Sequence, residues 1–210
     1  MSIVCIEGAS GVGKSTVCDV LEKDHGFKKI PEVNHLFKRP LDPSPTWYFE
    51  KQVERWSLAN ELSGDGEVVV LDGDPFQPLW YNWIFSDKEI QPLSDVIEFY
   101  FSAVEQGRIK FPDRYYLLTA SESVLRKRKE GDTKRLRRNF DSHLRLIGPQ
   151  LDYFEVLNSN QPNLVSIVES DTVSTAVERI FTSASNPRKG YSHLDLFERQ
   201  RNFVSNTRAD

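Results

Sequence analysis

Residues 8–15 read Gly-Ala-Ser-Gly-Val-Gly-Lys-Ser, which is the pattern of a phosphate-binding loop. Its glycines permit backbone conformations that a side chain would hinder, so that backbone N–H groups can surround an anion. The lysine brings a positive charge to the outer phosphates, and the last serine is suited to bind magnesium. The pattern predicts a nucleoside triphosphate site, and its expected binding residues are Gly8, Ser10, Gly11, Val12, Gly13, Lys14, Ser15 and Thr16.

The residues on either side of this phosphate loop (residues 8–15) fit a strand that leads into it and a helix that leaves it. The stretch 3–6 is a short apolar run, and 14–24 has the apolar periodicity of a helix. Strand, glycine-rich loop and helix is the order that the motif requires. The surroundings therefore favour nucleotide binding over a chance glycine-rich turn.

Further strands and helices alternate along the chain. Continuous apolar runs such as 68–71 and 115–118 are typical of parallel strands that are covered on both faces. The sequence predicts strands at 2–6, 27–30, 67–72, 114–119 and 164–168. It predicts helices at 14–24, 46–62, 92–106, 121–130, 136–157 and 172–183. This alternation predicts an α/β fold in three layers, with a five-stranded parallel sheet flanked by helices.

Charge, hydropathy and cysteine content exclude several classes of partner. The chain of 210 residues has a net charge of −4, which gives no reason to expect binding to nucleic acid or to an anionic membrane. No apolar run approaches the ~20 residues needed to span a bilayer. Two cysteines and no visible secretion signal predict a cytoplasmic protein without a disulfide framework. We expect one domain over 1–184, then a linker and a C-terminal helix over 185–210.

Two acidic residues come directly after predicted strands. Glu32 follows the second strand, and Asp72 ends the third. Ligands of parallel α/β sheets bind beyond the carboxyl ends of the strands, so we expect the residues just after 6, 30, 72 and 119 to surround the site. Either acid is then placed to orient and deprotonate a hydroxyl group. The alternative for both is a helix cap or a surface carboxylate.

A strongly basic segment, residues 125–138, lies in a chain that is acidic overall. Eight of its fourteen residues are Lys or Arg, among them Arg128 and Arg135. Arginine side chains stabilise the charge that spreads over a phosphoryl group during its transfer, so this segment is typical of a mobile lid over the phosphates. Gly131 to Thr133 interrupts the charges and is suited to act as a hinge. The alternatives are a solvated helix face or a nucleic-acid patch.

Other classes of phosphate-loop protein fit less well. A GTPase usually carries Asn/Thr-Lys-x-Asp after a later strand to bind guanine, but here the fourth predicted strand leads into Ala120-Ser121. A transporter ATPase carries Leu-Ser-Gly-Gly-Gln well before its second acidic strand. The similar stretch 62–66 runs directly into the predicted strand 67–72, so it is better explained as a turn between two elements. A small kinase needs an acid near the acceptor hydroxyl and a basic lid, and both are present.

The chain resembles the thymidylate kinase and deoxynucleoside kinase superfamily of small-molecule kinases. Besides the phosphate loop, the resemblance lies in the stretches 30–33 (Ile-Pro-Glu-Val) and 70–74 (Val-Leu-Asp-Gly-Asp), and in Leu125-x-x-Arg128 through Phe140-x-x-His143-x-Arg145. These stretches are spread over residues 1–170. The phosphate loop is specific by itself, whereas the other three contribute mainly through their order and spacing.

The resemblance implies a role for each matched residue. Lys14 would hold phosphate, Ser15 and Asp72 would support magnesium, and Glu32 would contact the acceptor hydroxyl and act as the base. Arg128 and Arg135 would be lid arginines that meet the phosphates or lie along adenine. The resemblance also implies that ATP is the phosphate donor and Mg²⁺ the metal.

One departure from the family concerns the acceptor. The family has an arginine after the acid of its third-strand motif, and this chain has Gly73. In nucleotide kinases that arginine helps to clamp the acceptor's existing phosphate. Its absence makes an acceptor without phosphate more plausible, although Arg39 or Lys38 could substitute for it.

Aromatic residues are concentrated where the acceptor is expected. All four tryptophans lie in residues 47–83, and nine of the 24 aromatic residues of the chain lie in 47–85. Aromatic faces suit a flat base or an apolar ring system. Core packing, or a homodimer interface, explains this concentration equally well.

The sequence thus predicts an ATP-dependent kinase that phosphorylates a hydroxyl of a small molecule, most simply a nucleoside or nucleotide. Two alternatives stay open. One is a kinase of antibiotics or other natural products with the same chemistry. The other is a nucleotide-dependent switch or binding module that has no small-molecule acceptor.

Overall fold

The computed structural model describes residues 2–88, 90–131, 140–184 and 190–209. These residues form a five-stranded sheet in which every neighbouring pair of strands is parallel, in the order β2-β3-β1-β4-β5. The strands are β1 Ser2–Gly8, β2 Lys28–Ile30, β3 Val68–Asp72, β4 Arg114–Thr119 and β5 Val165–Glu169. The α/β class and the five-stranded parallel sheet predicted from the apolar runs are therefore confirmed.

Helices connect the strands and cover both faces of the sheet. They are α1 Lys14–His25, α2 Val33–Leu36, α3 Trp47–Gly64, α4 Gln77–Ile84, α5 Leu93–Glu105, α6 Glu122–Gly131, α7 Phe140–Leu144, α8 Ile147–Asn160, α9 Val173–Ala184 and α10 His193–Asn206. A single turn of 3₁₀ helix, Ser86–Lys88, follows α4. None of the helices in the described ranges is long and apolar enough to cross a membrane.

The predicted helix 136–157 is wrong as one continuous element. Its described part consists of two helices, α7 and α8, which are separated at residues 145 and 146. Pro149 lacks a backbone N–H and would interrupt the hydrogen bonds in the interior of a longer helix. Because α8 starts at Ile147, this proline lies in the first turn of the helix, where a backbone N–H would make no hydrogen bond within the helix. Residues 136–139 lie outside the described residues.

Side chains of successive strand residues alternate between two hydrophobic clusters, one on each face of the sheet. On β1, Ile3 and Cys5 belong to the cluster that includes side chains of α3, α4, α5, α8 and α10. Val4 and Ile6 belong to the cluster under α1 and α9. The resulting three layers leave the carboxyl ends of the strands as the edge at which polar side chains collect. Cys5 and Cys18 are both buried and free, and burial raises the pKa of each thiol.

The C-terminal helix α10 packs on the same body. Its Leu196, Phe197 and Val204 are buried in the cluster that also contains residues of α5 and α8. Arg201 of the same helix is only partly buried, and its guanidinium lies 5.5 Å from the centre of the Phe101 ring. The division of the chain near residue 184 stays a prediction.

Candidate active site

The phosphate loop connects β1 to α1 through glycines with positive φ. Gly8 has φ 143°, Gly11 has φ 88° and Gly13 has φ 107°. Gly8 also pairs with Leu118 of β4, and a Cβ at Gly8 would lie 2.3 Å from the Leu118 carbonyl oxygen. A side chain is therefore excluded at this position by contact as well as by backbone conformation.

The loop opens into a cavity of about 750 Å³ at the carboxyl edge of the sheet. All eight residues predicted to bind the nucleotide line it, together with Glu32, Asp72 and Arg128. Residues that follow β1, β2 and β3 meet there, as expected from the topology. The residues at the end of β4 do not, which corrects the prediction for those after 119. Thr119 and Ala120 instead line a separate cavity of about 40 Å³ behind Ala9.

Lys14 is the positive charge at the centre of the cavity. Its Nζ donates to the Gly8 carbonyl oxygen at 2.6 Å and lies 3.6 Å from Glu7 Oε1. Burial alone would lower the pKa of Lys14, but the carboxylates of Glu7, Glu32 and Asp72 more than offset this, and the pKa is raised. Lys14 is therefore charged and within the electrostatic reach of three acids.

Glu7 is a buried acid that the sequence reasoning missed. Its Oε1 accepts the backbone N–H of Gly8 and its Oε2 accepts that of Asp74, each at 2.8 Å. Burial raises the pKa of Glu7, and Lys14 and the two backbone donors oppose this shift. The carboxylate thus ties the start of the phosphate loop to the turn after β3. The signal for it was an acid that stands directly between the apolar run 3–6 and the phosphate loop.

Glu32 lies on the wall of the cavity, just before α2. It is partly buried, and its side chain does not cap the helix. Its Cγ would be 3.6 Å from a Cβ placed on Gly73. Within the described ranges, no hydrogen bond or ion pair is made to its carboxylate. A carboxylate that faces a cavity without a partner is available to accept a proton.

Asp72 is placed differently. Its side chain is 2% exposed, and its Oδ2 lies 3.6 Å from Lys29 Nζ. The other oxygen, Oδ1, is buried and has no hydrogen-bond partner among the residues described. An orphaned carboxylate oxygen fits a role toward a magnesium ion, with Ser15 as the second protein group.

The described residues contain no cluster of three or more His, Cys, Asp or Glu side chains that could bind a metal by themselves.

An arginine from helix α3 occupies the neighbourhood of Gly73. Arg55 is 1% exposed, and its Nη2 donates to the carbonyl oxygens of Asp72 at 2.9 Å and Gly73 at 3.3 Å. Its Nη1 donates to Gln52. Lys38 and Arg39, the expected substitutes for the missing arginine, are exposed and do not line the cavity.

The first half of the basic segment lies in α6 and approaches the phosphate loop from the side. Arg128 donates to the Val12 carbonyl oxygen at 2.9 Å and to the Asp171 carbonyl oxygen at 3.2 Å. Ser170 Oγ donates to the same Val12 oxygen at 2.9 Å. Arg135 and the rest of the segment up to 138 lie outside the described residues.

Some of the clustered aromatic side chains line the cavity, while others belong to the core. Tyr48, Trp80 and Tyr81 line the cavity, whereas Trp56 and Trp83 are buried in the large cluster. The sequence left core and pocket equally open, and the segment serves both. Residues 80–83 belong to helix α4.

Two further groups were not anticipated. Asp74 is fully buried and accepts from Phe76 N, Trp80 Nε1 and Tyr115 Oη at 3.0, 2.9 and 2.9 Å. Burial raises its pKa to about 7. His143 lies on the cavity wall with its Nε2 3.4 Å from Tyr81 Oη. Burial lowers the pKa of this histidine, and Lys14 and Lys88 add to the shift.

Comparison with solved structures identifies the architecture. The deoxyadenosine kinase of M. mycoides, bound to its products dCMP and a flexible dCDP, superposes with a TM-score of 0.58 at 16% identity, over 87% of this chain and 98% of that one. The same enzyme with bound dATP gives 0.56 at 17% identity, over 89% of this chain and 100% of that one. The thymidylate kinase of Candida albicans gives 0.54 at 18% identity, over 86% and 89%.

The chain has a P-loop kinase fold of the deoxynucleoside and thymidylate kinase type. This fold confirms the resemblance seen in the sequence. No protein-family model matches the chain, and no curated protein matches its sequence. At identities of 16 to 18%, the likeness concerns the fold and leaves the chemistry to be argued from the site.

Proposed function

We propose that this protein is an ATP-dependent phosphotransferase that phosphorylates a hydroxyl of a nucleoside or a similar small molecule. The observation that carries the proposal is the composition of one cavity. It brings a phosphate loop with its charged Lys14 together with Glu32, whose carboxylate makes no hydrogen bond or ion pair with any described residue. A nucleoside kinase and a nucleotide kinase among the solved structures of this fold support the same class of reaction.

In the proposed reaction, the acceptor oxygen attacks the γ-phosphorus while its proton moves to Glu32. The new O–P bond forms as the bond between the β,γ-bridging oxygen and the γ-phosphorus breaks, and ADP leaves with that oxygen. Lys14 and backbone N–H groups of the phosphate loop stabilise the charge on the phosphoryl oxygens. Arg128 and Arg135 complete this stabilisation when the basic segment covers the site and keeps water out.

Ser15 and Asp72 would hold the magnesium ion, which neutralises phosphate charge when it is bound. This assignment is the one that the resemblance implies, whereas the positions of the two acids after their strands left either of them as the base. Asp72 is nearly fully buried and paired with Lys29, whereas Glu32 is partly exposed on the acceptor side. Glu32 is therefore the better base.

The acceptor carries no phosphate in this proposal. Gly73 provides no side chain, and Glu32 and Glu7 flank the space above it. The guanidinium of Arg55 donates to backbone carbonyls and to Gln52. A phosphomonoester at this place would lie beside these two carboxylates, and Arg55, the cation that lines the cavity there, already donates to backbone carbonyls and to Gln52.

The test is the formation of ADP from magnesium–ATP with a panel of acceptors. The panel contains nucleosides, their 5′-monophosphates and hydroxylated antibiotics. We expect ADP to form with nucleosides at least ~10-fold faster than with the matching monophosphates, since one unfavourable charge contact of about 1.4 kcal/mol gives that factor. Reaction with antibiotics alone would keep the chemistry and change the acceptor class. ADP formation that is independent of any acceptor would refute the kinase assignment and favour a nucleotide-dependent switch.

A further inference from the structure

Lys29 is a partly buried cation next to the proposed metal-supporting acid. It lies on β2 opposite Val70 of β3, and its side chain is 13% exposed. Its Nζ lies 3.6 Å from Asp72 Oδ2 and donates to Asp19 Oδ1 at 2.6 Å. Asp19 belongs to α1, the helix that starts in the phosphate loop. The three side chains therefore connect that helix to the acid at the end of β3.

The two carboxylates that share Lys29 differ in exposure. The Asp19 side chain is 64% exposed and that of Asp72 is 2% exposed. Water solvates the first carboxylate well, but the second depends on charges within the protein. The ammonium group of Lys29 lies between the two carboxylates, 2.6 Å from Asp19 Oδ1 and 3.6 Å from Asp72 Oδ2. Lys29 is therefore placed as the counter-ion of the buried Asp72.

We infer that Lys29 is a positioning residue that competes with magnesium for Asp72 and thereby sets the magnesium concentration at which the nucleotide site fills. The inference rests on the proposed function, since it assumes that a magnesium–nucleotide complex binds beside Asp72. Without metal, Lys29 holds Asp72 Oδ2 and leaves Oδ1 without a partner. With metal, one carboxylate is shared by two cations, so the lysine weakens metal binding.

Two substitutions on either side of this contact shift the magnesium requirement in opposite directions. Lys29→Met removes the competing cation, so magnesium becomes the main counter-ion of Asp72 and binds more tightly. Asp19→Asn removes the other partner of Lys29, so the lysine is held by Asp72 alone and magnesium binds more weakly. A merely structural role would weaken binding in both variants. Opposite signs are therefore specific to competition.

The experiment titrates magnesium at fixed AMP-PNP and follows the thermal unfolding midpoint of the full chain at pH 8. This readout measures binding without turnover. We expect Lys29→Met to lower the half-saturating magnesium concentration by about fivefold or more, and Asp19→Asn to raise it by a similar factor. Lys29→Arg keeps the charge and should restore the wild-type value.

Matched controls lie beside each position. Lys28→Met removes the neighbouring charge, which is half-exposed and paired with Glu67 at 3.7 Å. Asp24→Asn removes an exposed acid from the same helix as Asp19. Neither control should move the half-saturating concentration.

The outcomes separate this inference from the proposed function. The role of Lys29 would be overturned if the half-saturating magnesium concentration were equal in wild type and Lys29→Met, or were raised in both Lys29→Met and Asp19→Asn. Either result would leave the kinase proposal intact. No magnesium–nucleotide shift in the wild type would overturn both. If Lys29→Met does not fold, the surface variant Asp19→Asn decides, because an unchanged or lower magnesium requirement there would overturn the inference.

Discussion

Alanine at Gly8 and alanine at Gly13 should differ sharply in their effect on stability, although both glycines belong to the phosphate loop. Both have positive φ, 143° and 107°, which costs a residue with a side chain about 1–3 kcal/mol. A Cβ at Gly8 would also lie 2.3 Å from the Leu118 carbonyl oxygen, whereas a Cβ at Gly13 meets nothing within 4 Å. The contact at Gly8 is with the backbone of a central strand, so it cannot be relieved by turning a side chain.

The collision at Gly8 adds about 1–3 kcal/mol, the usual range for overpacking in a core. In a chain of this size, each kcal/mol lost from the free energy of unfolding lowers the unfolding temperature by about 3 °C. We therefore expect Gly8→Ala to unfold at a temperature about 3–9 °C below that of Gly13→Ala. Scanning calorimetry or thermal circular dichroism without nucleotide measures the difference. Equal midpoints, or a lower midpoint for Gly13→Ala, would show that the packing of β1 against β4 at the loop entrance is not as described.

Three further predictions concern other groups. Lys14→Ala should reduce turnover by about 10²-fold or more while the circular dichroism spectrum stays unchanged, and retained turnover would mean that the loop does not act on the phosphates. Arg55→Met should lower the free energy of unfolding by about 3 kcal/mol, because it removes charge-assisted hydrogen bonds to the turn at Gly73; a urea midpoint equal to that of wild type would contradict this. His193 accepts the Phe111 backbone N–H through Nδ1, and burial, followed by the charge of a nearby lysine, lowers its pKa to about 4. The unfolded chain binds a proton at His193 at a higher pH than the folded chain does. The free energy of unfolding that neutral His193 contributes is therefore lost as pH falls from about 6.5 to 4, by about 1–2 kcal/mol after screening by solvent. The urea midpoint of His193→Gln should not show this loss.

The parts of the fold that could be predicted from sequence are those whose cause is local. The phosphate loop needs its residues at fixed spacing, and parallel strands covered on both faces appear as continuous apolar runs such as 68–71. The break between α7 and α8 was missed although Gly148 and Pro149 mark it, because the apolar periodicity on both sides is helical. The predicted acids Glu32 and Asp72 both line the cavity, since the end of a parallel strand determines where its next residue lies.

The parts of the site that could not be predicted depend on contacts between distant segments. Arg55 is a charged residue on a helix that carries charges along most of its length, and only the packing of that helix on β3 brings it under Gly73. Lys29 stands next to Lys28 in sequence, but the alternation of the strand turns one toward Asp72 and the other toward Glu67. Neither distinction is visible before the sheet is assembled.

Substitution of Glu32 by glutamine tests the central claim most directly. The change keeps the shape of the side chain and removes its ability to take a proton. With a nucleoside acceptor that is active in the wild type, kcat should fall by about 10²- to 10⁴-fold while the affinity for AMP-PNP stays the same. Glu61→Gln, an exposed acid on α3, serves as the control and should keep full activity. A Glu32→Gln variant that retains wild-type kcat would contradict the assignment of this carboxylate as the base.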